Sequence, residues 1–444
     1  MAQISIVRKS QLEGAMRLDA EYYQPKYLKV SKQLRECGAV LLGELLSDIR
    51  YGIYTEPDYL EKGTDFIRAL NLEELVIEGD VLKIKPSAVP NEKYLMRSGD
   101  VLIVRSGANV GNSGIVVDKF VGATFGSYTI RLRFKPSINP YVCYIFLKSK
   151  FGRLQTVRFR TGLAQPNINI PNLKQLQIVS RFPMTAQQNI ENLVKQSHQE
   201  VFRSTSLYLQ AEQLLLDEIG FKDLDLSHQL YWTVPFKKTK EADRLDAEHF
   251  QPKYDRVVEF IKRLQHTTLR DLGKVLRGRN PSRYAEEGIP VIRAIDLRNI
   301  LDTTVFLRCP PEKGLFYLHR GDILISSIGW GSIGKVATFV HPERMATVSE
   351  VSVIRQTEME PFALQIFLQS PLGQLQLERW ITGSTGQLHL YPRDIETVVV
   401  PYLVSSLQQR IADLVTQSWE ARQKARRLLE EAKSKVESLI EGRA

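Results

Sequence analysis

The chain is 444 residues long, 43% hydrophobic and 25% charged, the balance of a soluble globular protein with room for two to four domains. Its formal net charge of +10 suits a polyanionic partner and equally a generally basic surface. Cys37, Cys143 and Cys309 form no Cys-x-x-Cys pair and the seven histidines form no ligand-spaced cluster, which excludes a disulfide framework and a zinc site.

The first ten residues lack the apolar core of a signal peptide, and no apolar run approaches the roughly 18 residues of a membrane span. The expected compartment is the reducing cytoplasm, with no membrane partner. A stretch that occurs twice then organises the chain. Arg17-Leu18-Asp19-Ala20-Glu21-Tyr22-Tyr23-Gln24-Pro25-Lys26-Tyr27 returns as Arg244-Leu245-Asp246-Ala247-Glu248-His249-Phe250-Gln251-Pro252-Lys253-Tyr254, about half the chain later. That spacing is far above the roughly 20 to 50 residues of a stacked repeat, so a whole domain is duplicated. Each copy is predicted to form a short helical stretch stopped at Pro25 or Pro252. Tyr22, Tyr23 and Tyr27 read as packing faces, and Arg17 with Asp19 as a solvated pair.

From about 41 to 179, and again from about 269 to 400, short runs rich in Val, Ile and Phe alternate with Gly, Pro, Asn and Asp, the signature of strands and turns. Asp65–Arg68, Asp100–Val104, Gly114–Val117 and Thr129–Phe134 are predicted strands. Phe66–Leu72 answers Val291–Leu297, and Gly99–Ile103 answers Gly321–Ile325. A helix is predicted over Pro140–Phe151, mirrored by Pro361–Gln369, which makes the class α+β.

A long helix follows in each half. Thr185-Ala186-Gln187-Gln188 and Ser406-Leu407-Gln408-Gln409 fit a capping box. Ile190, Val194, Ser197, Val201, Ser204, Tyr208, Ala211 and Leu215 then alternate steps of four and three. Ile411, Val415, Ser418, Arg422, Ala425, Leu429, Ala432 and Val436 repeat that register. Such a seam is a heptad pattern, and its small residues allow close approach, so the two helices, the first roughly 50 Å long, are predicted to pair with each other as a coiled coil. Gly220 ends the first, and Phe221 to Lys240 is expected to be an ordered crossing on which Leu224, Leu230, Tyr231, Trp232 and Phe236 dock. The expected division is 1–183 globular, 184–220 helix, 221–403 globular and 404–444 helix.

Catalytic patterns are sought without success. Gly329 to Val336 satisfies Gly-x-Gly-x-x-Gly, but Val336 stands where a phosphate loop needs a hydroxyl, and Gly107 to Ser113 breaks the pattern, so a glycine turn between strands is expected. Glu56, Asp58 and Glu61 against Asp322 and Glu343 give no consistent nuclease carboxylate pair. No Asp/Asn-Pro-Pro-aromatic strip marks a methyltransferase. The chain is therefore expected to be no enzyme, with no metal and no bound cofactor. DNA readout needs only Arg, Lys, Asn, Gln and aromatic groups on loops. The two halves share a frame and differ in those loops. Arg50, Tyr51, Tyr54, Arg105 and Asn109 are candidate DNA contacts in the first half. Arg277, Arg279, Asn280, Arg283, Trp330, Ser332 and Lys335 are those of the second.

The duplicated Arg-Leu-Asp-Ala-Glu motif, the Gly-Asp-Val/Ile-Leu-Ile strand, Thr161-Gly162 and Thr382-Gly383, and Gln-Gln-x-Ile opening each long helix together resemble the specificity subunit of type I restriction-modification enzymes. The resemblance covers nearly the whole chain. It implies two target-recognition domains in opposed orientation, set by two antiparallel helices in an internal pseudo-two-fold repeat. Each domain would read one half of a bipartite, asymmetric double-stranded DNA target. The helices would hold two modification subunits that methylate adenine with S-adenosylmethionine, and restriction subunits carrying an ATP- and magnesium-dependent translocase would join, as phage defence. The helix entries Phe182-Pro183-Met184-Thr185 and Tyr402-Leu403-Val404-Ser405 depart from that family's Pro-Pro-x-x-Glu-Gln. The alternatives are a DNA-reading subunit of another methylation-based defence system and a coiled-coil adaptor without DNA binding.

Overall fold

The computed structural model describes residues 6–8, 17–54, 58–162, 165–222, 224–301, 306–383 and 388–442. The chain divides into two compact units, Met1–Phe202 with Lys424–Ala444, and Arg203–Gln423. Glu56, named above, lies outside the described residues.

In the first unit an antiparallel sheet orders Leu46–Tyr51, Thr129–Phe134, Val101–Val104 and Ser113–Ile115. Successive side chains of a strand point to opposite faces, and here both faces are covered. Val101 and Ile103 pack with the helices Pro140–Lys148 and Lys150–Phe159, while Leu102 and Val104 pack toward a second, mixed sheet. That sheet orders Tyr59–Leu60, Leu82–Ile84, Thr64–Ile67 and Thr124–Phe125, its last pair being parallel. The second unit repeats both layers. Lys274–Arg277, Val351–Arg355, Ile323–Ser326 and Val336–Thr338 form the antiparallel sheet, and Ile289–Ile292 runs parallel to Ala346–Thr347 in the mixed one. The predicted strands and the Pro361–Gln369 helix are found at these places.

Several local expectations are corrected. Pro25 and Pro252 begin helices, Pro25–Glu36 and Pro252–Lys262, because at the first helical position the missing amide would have had no partner. The turns before them, Ala20–Tyr23 and Glu248–Phe250, are 3-10. The helix expected to reach Phe151 breaks at Ser149, whose extended backbone and hydroxyl cap the next helix. No capping box forms at the long helices: Thr185 and Ser406 lie inside the first turn, and Gln187 Nε2 donates instead to the Phe182 carbonyl at 2.8 Å, as Gln408 Nε2 does to Leu403 at 2.7 Å. In the crossing, Phe221, Leu224 and Leu226 pack on the second unit's core, but Leu230, Tyr231 and Phe236 are exposed. Gly220 closes the first helix in the left-handed region, with Phe221 N–H donating to Leu216 and Gly220 N–H to Asp217.

The long helices are Met184–Glu218 and Ser405–Ile440. In the first unit Ile190, Val194 and Val201 share a core with Ala425, Leu429, Ala432 and Val436, and the Ser197 hydroxyl donates to the Ala425 carbonyl at 2.8 Å. In the second, Tyr208, Ala211 and Leu215 share a core with Ile411 and Val415. The Ser418 hydroxyl there donates to the Ser204 carbonyl at 2.7 Å and meets the Ser204 hydroxyl at 3.0 Å. A one-carbon side chain reaching the opposite backbone requires close approach, which the small seam residues permit. Within the first unit 197 meets 425 and 200 meets 424, so the helices pair antiparallel there. Between Ser418 and Ala425 the buried position is Ala421, and Arg422 is half-buried.

The two cores differ in charge. Arg131 is fully buried in the first unit, paired with Asp48 and donating to the Lys93 carbonyl at 2.7 Å, where the second unit has Val353. The Arg50 hydrogen bonds and the Arg131 charge hold Asp48 down to about 2. Lys148 donates to the Glu74 carbonyl at 2.6 Å, with Lys433 and Arg426 on the Glu74 carboxylate. Burial and the Lys433 charge push Lys148 down to about 7 from an ordinary 10.5, and burial beside Lys148 pushes His198 down to about 4 from 6.5. In both cases the unfolded chain takes the proton first as pH falls. Stability therefore rises with pH, from about 4 to 6.5 through His198 and from about 7 to 10.5 through Lys148. Gln369 and Trp419 stand at the matching places of the second unit. Lys148→Gln is expected to flatten the rise in urea midpoint between neutral pH and about pH 9; an unchanged rise would rule out Lys148 as its source.

Candidate nucleic-acid interface

In the first unit Tyr51 pairs with Ile130, Val104 with Thr129 and Ile103 with Ser113, so three connections leave the antiparallel sheet at one end. They are 52–54, 105–112 and 126–128. Backbone bonds stitch them together: Gly52 N–H to Thr129, Ile53 N–H to Phe125 and Arg105 N–H to Tyr128. A fourth segment, around Thr161-Gly162, is tied in by Ile168 N–H to Arg105 and Gly107 N–H to Pro166.

The second unit repeats these bonds at 278–284, 327–335, 348–350 and 388–390. Gly278 N–H donates to Val351, Arg279 N–H to Thr347, Ser327 N–H to Glu350, Leu390 N–H to Ser327 and Gly329 N–H to Leu388. A Cβ at Gly52 would overlap the Gly126 carbonyl oxygen, and one at Gly278 that of Val348, which is why glycine stands at both crossings. The stitching aligns Tyr51 with Arg277, and Arg50 with Leu276.

The frame presents different groups. In the first unit the Arg105 guanidinium lies 4.6 Å over the Tyr51 ring, and the Tyr51 hydroxyl accepts from Ile170 N–H at 3.1 Å. Tyr54 is 78% exposed and Asn109 is exposed. Arg50 is drawn away: it holds Asp48 at 2.8 Å and lies 5.4 Å over Tyr94. In the second unit Arg277 Nε donates to the Ser349 carbonyl at 2.9 Å, and the side-chain oxygen of the exposed Asn280 accepts from Ser349 N–H at 2.8 Å. Trp330 is 77% exposed at the tip of its glycine turn, and the Ser332 hydroxyl turns back to the Ile328 carbonyl at 3.3 Å. Lys335 is half-buried at the base of that turn. Arg279 lies against Gly314, and Arg279 and Arg283 flank Glu312, whose carboxyl is held below its usual range chiefly by hydrogen bonds from Ser282.

Sequence reasoning missed two further groups at this rim. Tyr128 is exposed just before the strand Thr129–Phe134, and His389 stacks on Tyr391 with ring centroids 5.9 Å apart. Gly126 was a usable signal for the first. The Thr-Gly pairs were noticed as motifs, but only the backbone bonds place their segments beside the other loops.

The turn Gly329 to Lys335 is not a helix-based phosphate cradle, since it joins two antiparallel strands and opens no helix whose N-terminal amides would face an anion. Among the described residues, no cluster of His, Cys, Asp and Glu could hold a metal, and no helix is long and apolar enough to cross a membrane. What the rim offers is hydrogen-bonding and stacking groups on an edge joined by backbone hydrogen bonds.

No protein-family model matches the chain, and no curated protein does. Solved structures give likenesses of broad coverage and low identity. The S subunit of a type I restriction-modification system from M. genitalium is 17% identical, over 90% of this chain and 94% of that one, with a TM-score of 0.40. The HsdS subunit from Thermoanaerobacter tengcongensis is 15% identical, over 91% and 97%, with a TM-score of 0.31.

Proposed function

We propose that this chain is the DNA-recognition subunit of a type I restriction-modification complex, non-catalytic itself, in which each unit reads one half of a bipartite target. One observation carries the reading. Two sheet ends are stitched by the same backbone bonds and present unlike side chains: Tyr51, Tyr54, Arg105 and Asn109 in one, Arg277, Arg279, Asn280, Arg283, Trp330, Ser332 and Lys335 in the other. A scaffold kept while its outward groups change is what two reading heads on one frame require. The motif resemblance and the charge of +10 support the same reading. Adenine methylation with S-adenosylmethionine, and ATP-driven translocation, would belong to partner subunits held by the paired helices.

Fluorescence anisotropy on random duplex DNA tests the binding. Affinity is expected to fall with added salt, log K against log salt sloping about −0.9 for each phosphate neutralised. Co-expression with the host's modification subunit, followed by mapping of methylated adenines, is expected to give one motif of two short halves separated by an unread spacer. Absence of duplex binding at low salt would leave only a coiled-coil adaptor.

A further inference from the structure

One carboxylate at the rim of the second unit is fixed in place by its backbone, yet its side chain is paired with nothing among the described residues. Glu350 ends the connection 348–350, between the strands Ala346–Thr347 and Val351–Arg355. Its carbonyl accepts the Ser327 N–H at 2.8 Å, and Val351 N–H closes the turn onto the Val348 carbonyl at 3.1 Å. The residue before it is held at both backbone groups, by Arg277 Nε on the Ser349 carbonyl and by the Asn280 side chain on the Ser349 N–H. The Glu350 side chain is half-buried, and its Oε2 is shielded from solvent with no hydrogen-bond partner. The arginines of adjoining segments are committed elsewhere, Arg277 to that carbonyl and Arg293 to Asp296 at 3.1 Å. Burial raises the Tyr284 phenol, Arg293 opposes the rise and the Glu350 charge adds to it, so the carboxylate lies near the end of the 278–284 loop.

An ionised carboxylate only accepts hydrogen bonds, and shielding one of its oxygens from water without supplying a donor costs free energy that folding does not recover. A group held so firmly and left unsatisfied is satisfied by something that arrives later. Phosphates are excluded, because they offer no donor and carry the same sign of charge. Donors on duplex DNA lie on the base edges, as the amino groups of cytosine and adenine in the major groove and of guanine in the minor groove. The adenine amino group stands beside the N7 acceptor, which a carboxylate would meet in repulsion. Cytosine presents its N4 amino group with no acceptor beside it on the same base, so a lone carboxylate suits cytosine best.

We infer that Glu350 is a specificity-determining residue of the second unit, accepting a hydrogen bond from the amino group of one cytosine in the major groove. The inference rests on the function proposed above, and it names one base pair that the second unit reads. The first unit has no counterpart. The bond from Arg105 N–H to the Tyr128 carbonyl matches that from Ser327 N–H to the Glu350 carbonyl, so an exposed tyrosine stands where the second unit has the carboxylate. The contact therefore belongs to one half of the target only. Because the 348–350 backbone is already held by Ser327, Arg277 and Asn280, little ordering is needed when the base arrives, and the bond is spent on discrimination.

The test uses the full chain co-expressed with the host's modification subunit, and methylated adenines are mapped for the parent, Glu350→Ala and Glu350→Gln. Glu350→Ala is expected to admit other bases at a single C·G position about 5- to 150-fold more often and to leave the other half intact. Glu350→Gln should move the preference at that position toward adenine, which glutamine can grip at N6 and N7 together. Neither variant should lower the urea midpoint, since no internal bond is lost, whereas a structural carboxylate would lower it. A second measurement needs no variant: anisotropy of the parent complex on its mapped duplex. Replacing that cytosine by 2-pyrimidinone, which lacks the amino group, should weaken binding by the same factor and weaken the Glu350→Ala complex no further. Hypoxanthine in place of the opposing guanine, which removes only the minor-groove amino group, should change nothing. A bipartite motif that both variants leave unchanged, or that loosens at an A·T position or in both halves, would overturn the Glu350 contact and leave the proposed function standing. A hypoxanthine effect with none from 2-pyrimidinone would also overturn it. A parent that yields no bipartite motif and binds no duplex at low salt would bring down the proposed function and this contact with it.

Discussion

Replacing Ala432 with glutamate is expected to destabilise the first unit by about 3 to 5 kcal/mol, the cost of an uncompensated buried charge. Ala432 is fully buried in the seam, in a core with Ile190, Val194, Leu429 and Val436. The methyl group leaves no room for a carboxylate, and overpacking alone costs about 1 to 3 kcal/mol. Polarity as such is tolerated there when a partner exists, as the Ser197 hydroxyl has in the Ala425 carbonyl. Ala432→Ser is therefore expected to cost only about 1 kcal/mol. Ala211→Glu in the second unit should behave like Ala432→Glu, since Ala211 is equally buried with Ile411 and Val415. The outward Arg427→Glu should shift stability by no more than about 0.5 kcal/mol. Urea unfolding followed by circular dichroism measures each. A glutamate at Ala432 that costs less than about 1 kcal/mol would mean that the seam is not closed in solution.

The seam was legible because a heptad pattern states its own geometry: Ser197, Ala211, Ser418 and Ala432 are small at a spacing that only a partner helix explains. The strands were legible for a similar reason, since Val101 to Val104 is a continuous apolar run, as a strand covered on both faces must be. What failed was local. Pro25 reads as a helix stop from composition, and whether it stops or starts depends on which side the helix extends. Thr185 and Gln188 have the capping-box spacing, but the chain enters the helix from Pro183, two residues earlier, and Gln187 finds the Phe182 carbonyl. At the rim, Arg50 and Arg277 look equivalent in a string of letters. Strand pairing decides otherwise, because Gly52 and Gly278 are the residues that must superpose at their tight crossings, which moves the match by one position and turns the side chain to the other face.

That register sharpens the expected division of labour between the units. Arg279→Ala or Trp330→Ala is expected to relax one half of the methylated motif and leave the other half intact, and Tyr54→Ala or Asn109→Ala should do the reverse. Each of these side chains stands on a connection leaving one sheet end of its own unit. A bidentate contact to a base edge is worth about 1 to 3 kcal/mol of discrimination, so losing one should admit the wrong base at one position roughly 5- to 150-fold more often. A phosphate contact lacks that signature: its loss weakens every sequence alike and reduces the salt slope by about one. Asn280 should sit between these outcomes, because its oxygen is committed to Ser349 N–H and its removal loosens the loop as well as any base contact. Arg50, held by Asp48, should leave the motif unchanged and lower stability instead. Methylome mapping of cells carrying each variant with the parent modification subunit separates these results. If both halves loosen together on Arg279→Ala, or if Tyr54→Ala and Arg279→Ala alter the same half, the two sheet ends are not independent reading heads.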